Sequence, residues 1–329
     1  MNARYALLAA IVAGGAALVS ATAVVRSAPG PGDTITGLWT AEPASERAAS
    51  GNAPLLQLTL SRRRGTHGNS QHSRPVALAE LRGLTADQMS AGTSSVTFTM
   101  ERDAGRFSFE GSFRRGEGAG HFTFAPRPEF VTAMRGLGYT LDDEKLYSVA
   151  ILDVSREFVR QLDALGYSRL DLDQLLSLRI HGADPSFIRE VKELGYDHLP
   201  VDDLVSFRIH GATPDFIRQM QSLGPNRLSA EDLVGLRIHG ASPEFVRGLR
   251  ELGYDRVSAE ELVSMRIHGV SPEFIKELKS LGYERVPVEE LVSMRIHGVS
   301  PEFVRRVRAS RGSVSVDRLV EMRIHGIEP

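Results

Sequence analysis

Two hydrophobic periods divide the chain. Between residues 35 and 124 apolar side chains alternate with polar ones, as in Leu55-Leu56-Gln57-Leu58-Thr59-Leu60 and in residues 95–100, 106–113 and 120–124. A period of two puts one side of each segment in a core and predicts β-strands. Residues 35–40 read as a first strand. Asp103-Ala104-Gly105 and Arg115-Gly116-Glu117-Gly118 have the length and residue types of turns between antiparallel neighbours. Residues 76–82 read as a short helix or helical turn. Residues 34–125 are expected to form a small antiparallel β domain, a sandwich or a rolled sheet. Trp39, Phe107, Phe109, Phe113, Phe122 and Phe124 would supply its core.

From residue 126 onward the apolar positions fall at helical spacing, and they repeat. A nine-residue theme, Arg266-Ile267-His268-Gly269-Val270-Ser271-Pro272-Glu273-Phe274, also begins at Arg179, Arg208, Arg237 and Arg295, and its opening returns at Arg323. The histidines His181, His210, His239, His268 and His297 are 29 residues apart, and His325 follows after 28. Phe130, Phe158, Phe187, Phe216, Phe245, Phe274 and Phe303 head seven units over residues 126–329. A fixed period of this length predicts a stacked array in which each unit buries its face on its neighbours. The first unit departs from the theme, with Ala150, Leu152 and Asp153 where arginine, histidine and glycine are expected.

Each unit reads as a helical hairpin. The first helix opens on Ser-Pro-Glu or a relative, such as Ser271-Pro272-Glu273 or Asp184-Pro185, which supplies an N-cap followed by proline at the first helical position. It ends at Gly138, Gly166, Gly195, Gly224, Gly253 or Gly282, where a left-handed residue is expected. The second helix opens on capping boxes such as Ser258-Ala259-Glu260-Glu261 and ends at the glycine of the motif: Gly182, Gly211, Gly240, Gly269 or Gly298. Helices of about ten residues do not persist alone in water. In the first helix Phe274, Ile275, Leu278 and Leu281 share one face. The second carries Leu262, Val263, Met265 and Ile267, apolar on more sides, and is expected to be the more buried. The fold class is therefore α+β and multidomain: the β domain, then an all-α helical-hairpin array resembling an α-solenoid.

The repeated histidines invite a metal reading. Successive hairpins stand about 8–10 Å apart, whereas two ligands of one zinc each lie within about 2.1 Å of it. Neighbouring rungs cannot share an ion, so the imidazoles are expected to pack and hydrogen-bond between units, with the motif glycines and with Phe187, Phe216, Phe245, Phe274 and Phe303 as structural positions. The candidate interaction face lies on the first helices. Two residues past each phenylalanine stand Arg160, Arg189, Arg218, Arg247, Lys276 and Arg305; five past it stand Lys192, Arg250, Lys279 and Arg308. Offsets three apart share a helix face, so stacked units would show a positive ladder. In the β domain Arg62-Arg63-Arg64 reads as solvated charge at a strand end. His67, His72 and His121 lack an accompanying carboxylate cluster, and no metal or cofactor is expected.

The 329 residues include no cysteine, which excludes disulfides, thiolate metal sites and cysteine nucleophiles. A formal charge of -2 offers no reason to expect nucleic acid. Arg4, the apolar run to Val19 and Ala21-Thr22-Ala23 read as a signal peptide over residues 1–23, with a membrane anchor to about residue 25 as the alternative. Residues 24–33 read as a linker. An exported protein, periplasmic or secreted, is expected.

The run Leu262-Val263-Ser264-Met265-Arg266-Ile267-His268-Gly269-Val270-Ser271-Pro272-Glu273-Phe274, with Leu281-Gly282-Tyr283 after it, resembles tandem repeats in the extracytoplasmic tails of bacterial membrane proteins related to β-lactam-sensing antirepressor metallopeptidases. Residues 107–124, leading into Pro126-Arg127-Pro128-Glu129-Phe130, are similar to the region preceding such repeats. The likeness covers most of the mature chain. It implies a module of envelope signalling proteins. The HExxH motif, the multiple membrane spans and the penicillin-binding serine motif of that family are missing, so its peptidase or sensor activity is not implied. The expected function is a non-enzymatic scaffold that binds a protein or an anionic envelope component through the array. The alternatives are an enzyme with its site at the β domain and a structural spacer.

Overall fold

A computed structural model describes residues 34–44, 55–63, 69–224 and 228–328. The signal and linker segments, Arg64 and His67 lie outside the described residues.

Seven strands form one antiparallel sheet, curled into a half-barrel. They are β1 (Ile35–Pro43), β2 (Leu55–Arg63), β3 (Asn69–Ala77), β4 (Leu81–Arg82), β5 (Ser94–Arg102), β6 (Gly105–Arg114) and β7 (Glu117–Pro126). The order β3-β2-β1-β7-β6-β5-β4 brings the last strand back beside the first. Alternation drives one face inward, and all six expected aromatic core residues are buried. Trp39 stands across from Gly120 and donates through Nε1 to the Glu110 carbonyl at 3.1 Å. Its ring meets Phe98 edge-on, with centroids 5.3 Å apart. A Cβ at Gly118 would come within 2.8 Å of that ring, so the strand opposite the indole must be glycine-rich.

β3 is a strand that the hydrophobic alternation of the sequence does not announce. The strand is polar and includes Pro75, but it forms the sheet's edge, where proline and polar side chains are tolerated. The expected helical turn at residues 76–82 is reduced to a 3-10 turn at Leu78–Glu80, with strand on both sides. A short helix, α1 (Ala86–Ser90), is capped by Thr85.

Seven hairpins follow. Their first helices are α2 (Pro128–Gly136), α4 (Arg156–Ala164), α6 (Pro185–Glu193), α8 (Pro214–Leu223), α10 (Pro243–Glu251), α12 (Pro272–Ser280) and α14 (Pro301–Arg311). Their second helices are α3 (Asp143–Ile151), α5 (Leu172–His181), α7 (Val201–His210), α9 (Ala230–Ile238), α11 (Ala259–Ile267), α13 (Val288–Ile296) and α15 (Val316–Ile324). First helices stack on first helices and second on second, giving a two-layer solenoid. The Ser and Asp caps accept the expected backbone N–H groups, and Asp171, Ser229 and Ser258 form capping boxes.

The first hairpin closes the open side of the sheet. Tyr147 of α3 stacks on Phe122 with centroids 6.0 Å apart, and Phe130 is fully buried. Arg62 does not point away as solvated edge charge; its guanidinium lies 5.1 Å over the Tyr147 ring. Asp103 accepts from Arg156 Nη2 at 2.6 Å, and Arg102 joins Glu80 at 2.7 Å. Asp153, where other units have glycine, takes the left-handed conformation at φ 56° and binds Arg179 at 3.0 Å. A short polar side chain tolerates that region better than most.

Candidate interaction surface

Three repeated contacts join each hairpin to the next. The first uses the motif arginine. Arg208, Arg237, Arg266, Arg295 and Arg323 place their guanidinium groups 4.9–5.1 Å from the ring centroids of Phe187, Phe216, Phe245, Phe274 and Phe303 on the first helix of the same unit. The same groups run alongside the preceding motif glycine. A Cβ at Gly211 would sit 2.9 Å from Arg237 Nη2, so the left-handed glycine at φ 72° also leaves room for the arginine. Arg208 and Arg237 donate through Nε to the carbonyls of His181 and His210 at 3.4 Å.

A second contact uses tyrosines that follow the first helix. Tyr139, Tyr167, Tyr196, Tyr254 and Tyr283 donate to the carbonyls of Leu170, Leu199, Leu228, Val286 and Val314 in the next unit at 2.7–2.9 Å. The third contact uses the residue five past phenylalanine. Lys192 Nζ donates to the Leu165 carbonyl at 2.9 Å, Arg250 to that of Leu223 at 3.0 Å and Lys279 to that of Leu252 at 3.5 Å.

These joints redistribute the residues that the sequence singles out. Three of the ten residues of the expected basic face, Lys192, Arg250 and Lys279, reach back to helix-end carbonyls, and Arg308 Nη1 lies against Gly282. The residues two past phenylalanine are exposed but largely paired. Arg160 binds Glu157 at 2.7 Å, Arg247 binds Glu244 at 3.0 Å, Arg218 binds Asp215, and Arg305 binds Glu277 at 2.9 Å. Arg189 and Lys276 are exposed. The face carries alternating charge rather than one sign. The histidine side chains do not fill the joints. His181 is half-buried, and His210, His239, His268, His297 and His325 are exposed. The joint uses the backbone carbonyl at this position, which any residue would supply.

The largest departure concerns Ile267. The second helix buries Leu262 and Met265, but Ile267 is 56% exposed. Its equivalents Ile180, Ile209, Ile238, Ile296 and Ile324 are 54–59% exposed. The last turn of the second helix therefore shows a β-branched apolar side chain to solvent on six successive rungs. The core position two residues earlier varies among Leu178, Phe207, Leu236, Met265, Met294 and Met322, whereas the exposed position is isoleucine in all six. Packing explains a varied core; it does not explain an unvaried exposed isoleucine. The first hairpin supplies the contrast. Its equivalent, Ile151, is 2% exposed beside the sheet, and its carbonyl accepts from Arg74 of edge strand β3 at 2.6 Å. The signal was present in sequence as an isoleucine held between arginine and histidine at a helix end. Residue type alone groups it with the buried Leu262 and Met265.

Among the described residues, no three His, Cys, Asp or Glu side chains come together to hold a metal ion, and no helix is long and apolar enough to cross a membrane. His72 sits on β3 with its ring 5.9 Å from Tyr147, while His121 is exposed on β7. A shallow cavity of about 560 Å³ on the outer face of the sheet is lined by Thr40, Gln57, Thr59, Ser112, Arg114 and Glu117. These hydroxyl, amide and charged groups include no pairing of a nucleophile with a histidine base. The chain matches no known family model, and no curated protein resembles it in sequence.

Proposed function

We propose that the protein is an exported, non-enzymatic scaffold whose helical array docks an extended polypeptide along the isoleucine ladder. The observation that carries this reading is the unvaried, half-exposed isoleucine on six successive rungs. Contiguous apolar surface of a few hundred Å² marks interaction sites on soluble proteins. The spacing favours an extended occupant. Stacked helices repeat at about 8–10 Å, and a polyproline-type segment rises about 9 Å in each three-residue turn. An apolar residue at every third position would meet one rung per turn. Ile151 supports the same occupant, because the one covered copy lies beside an edge strand of this chain's own sheet.

Selection from a displayed library of random peptides tests the reading. The wild-type array should enrich sequences with an apolar residue at every third position. A variant carrying Ile209→Glu, Ile238→Glu and Ile267→Glu should enrich none of them while melting within a few degrees of wild type, since each site is already more than half in water. Enrichment of the same sequences on the variant would refute the docking surface. The basic face is the second reading, and Arg189 and Lys276 are the exposed cations that keep it open. Reversing both charges should leave the selected peptides unchanged if the isoleucines carry binding.

A further inference from the structure

The joint between the first two hairpins differs from the later ones at the motif glycine. Asp153 stands there, and its carboxylate accepts from Arg179 Nη2 at 3.0 Å while Arg179 Nε donates to the Leu152 carbonyl at 2.9 Å. At the five following joints Gly182, Gly211, Gly240, Gly269 and Gly298 take that place. The arginine keeps its position: a Cβ on each of these glycines would lie 2.9–3.3 Å from Nη2 of Arg208, Arg237, Arg266, Arg295 or Arg323. Only the carboxylate is gone. All five arginines are exposed, and among the described residues none has a carboxylate partner. The same first hairpin covers its isoleucine. Ile151 is 2% exposed, whereas the six later copies are 54–59% exposed. The chain thus meets both needs itself at the first joint and leaves both open afterwards.

The open groups share one edge of the array. Each guanidinium lies against the His-Gly pair that directly follows an isoleucine, as Arg208 does at His181 and Gly182 after Ile180. Cation and apolar side chain therefore alternate from rung to rung. We infer, resting on the docking of an extended polypeptide proposed above, that the occupant of the ladder is an acidic polypeptide. It supplies a carboxylate to each motif arginine, as Asp153 does within the chain, and an apolar side chain to each isoleucine. A three-residue polyproline-type turn has room for one of each per rung. The guanidinium already lies flat between a ring and a glycine backbone, so it loses little freedom when a carboxylate joins it.

Fluorescence anisotropy of the full-length protein with labelled peptides tests the partner. The probes are a peptide of repeated Leu-Pro-Glu, its Leu-Pro-Gln counterpart and polyglutamate. Leu-Pro-Glu should bind saturably and about tenfold more tightly than Leu-Pro-Gln, the combined effect of several exposed ion pairs. That preference should shrink as salt is added. Polyglutamate should bind more than about tenfold less tightly than Leu-Pro-Glu, because the apolar contacts are lost. Gly182→Asp, Gly211→Asp and Gly240→Asp together give three arginines an internal carboxylate, in the left-handed conformation that Asp153 adopts at φ 56°. This variant should reduce the preference for Leu-Pro-Glu to about threefold. Should it not fold, Arg208→Gln, Arg237→Gln and Arg266→Gln should give the same reduction. Equal binding of Leu-Pro-Glu and Leu-Pro-Gln would overturn the acidic partner and leave the isoleucine ladder standing. Binding of neither would overturn both. Polyglutamate binding as tightly as Leu-Pro-Glu would overturn the mixed pattern in favour of an anionic polymer. An undiminished preference in a folded variant would overturn the role of the motif arginines.

Discussion

The motif arginine and the motif glycine act as one device. The guanidinium is planar, and it slides between the phenylalanine ring of its own unit and the glycine backbone of the preceding one. Lysine keeps the charge and loses the plane. Arg237→Lys is expected to cost about 1 kcal/mol, the scale of a partly exposed cation–π contact, read as a lower urea midpoint with unchanged slope. An unchanged midpoint would mean that the stack contributes no net stability. The tyrosine joints add a pH dependence. Burial, first among the causes, holds the phenols of Tyr139, Tyr167, Tyr254 and Tyr283 above the ordinary 10.0. A raised acid in the folded state keeps its proton after the unfolded chain has lost one. Their contribution is therefore fully present below pH 10.0 and is lost as pH rises through the folded values. The melting temperature should fall above pH 10.0, and Tyr167→Phe with Tyr254→Phe should make that fall shallower. These side chains show what the sequence leaves unread at this scale. The phenylalanines are legible as core because every one of them heads an apolar face. Direction at a helix end is not legible from residue type, so the histidine side chains were expected inside the joints and the isoleucine in the core.

Element boundaries were the most legible feature of the chain, because each is written in capping chemistry. Ser258 accepts from the Glu261 N–H, and Glu261 returns the bond to the Ser258 N–H at 2.7 Å. Ser258→Ala is expected to cost about 1 kcal/mol, measured as the equilibrium stability of the full chain. Pro287 opens α13 with no side-chain bond at all, so Pro287→Ala removes no capping bond and should shift stability by less. A larger loss at Pro287 would mean that loop rigidity outweighs capping in this array. Where the rules of local chemistry conflict, the sequence reading fails for a physical reason. Gly224 carries the glycine of a helix end but precedes proline, and the proline constraint wins. β3 carries polar residues and a proline, which argue against a central strand and say little about an edge. Its existence follows from pairing with β2, a tertiary fact.

At the scale of the molecule the β sheet and the array share one core rather than meeting at a thin linker. The sheet is a half-barrel, and the side chains that cover its open face come from the first hairpin: Phe130, Met134 and Tyr147, all fully buried. Asp103 and Arg156 tie the outer rim of that seam at 2.6 Å, and the bond from Arg156 holds the Asp103 carboxyl below its ordinary value. The sheet residues should therefore fold poorly when the chain is cut after Ala125. A longer piece, residues 34–155, retains α2 and α3 and should recover the near-ultraviolet signal of Trp39, which is 1% exposed in the closed half-barrel with Phe98 edge-on to it. The short piece should bind a hydrophobic dye and lack that signal. Within the longer piece Tyr147→Ala should cost about 3–5 kcal/mol, as removal of a buried aromatic does. Equal stability of the two pieces would show that the first hairpin merely rests on the sheet. A large difference would make that hairpin part of the sheet's core and leave the six following hairpins free to present their isoleucines.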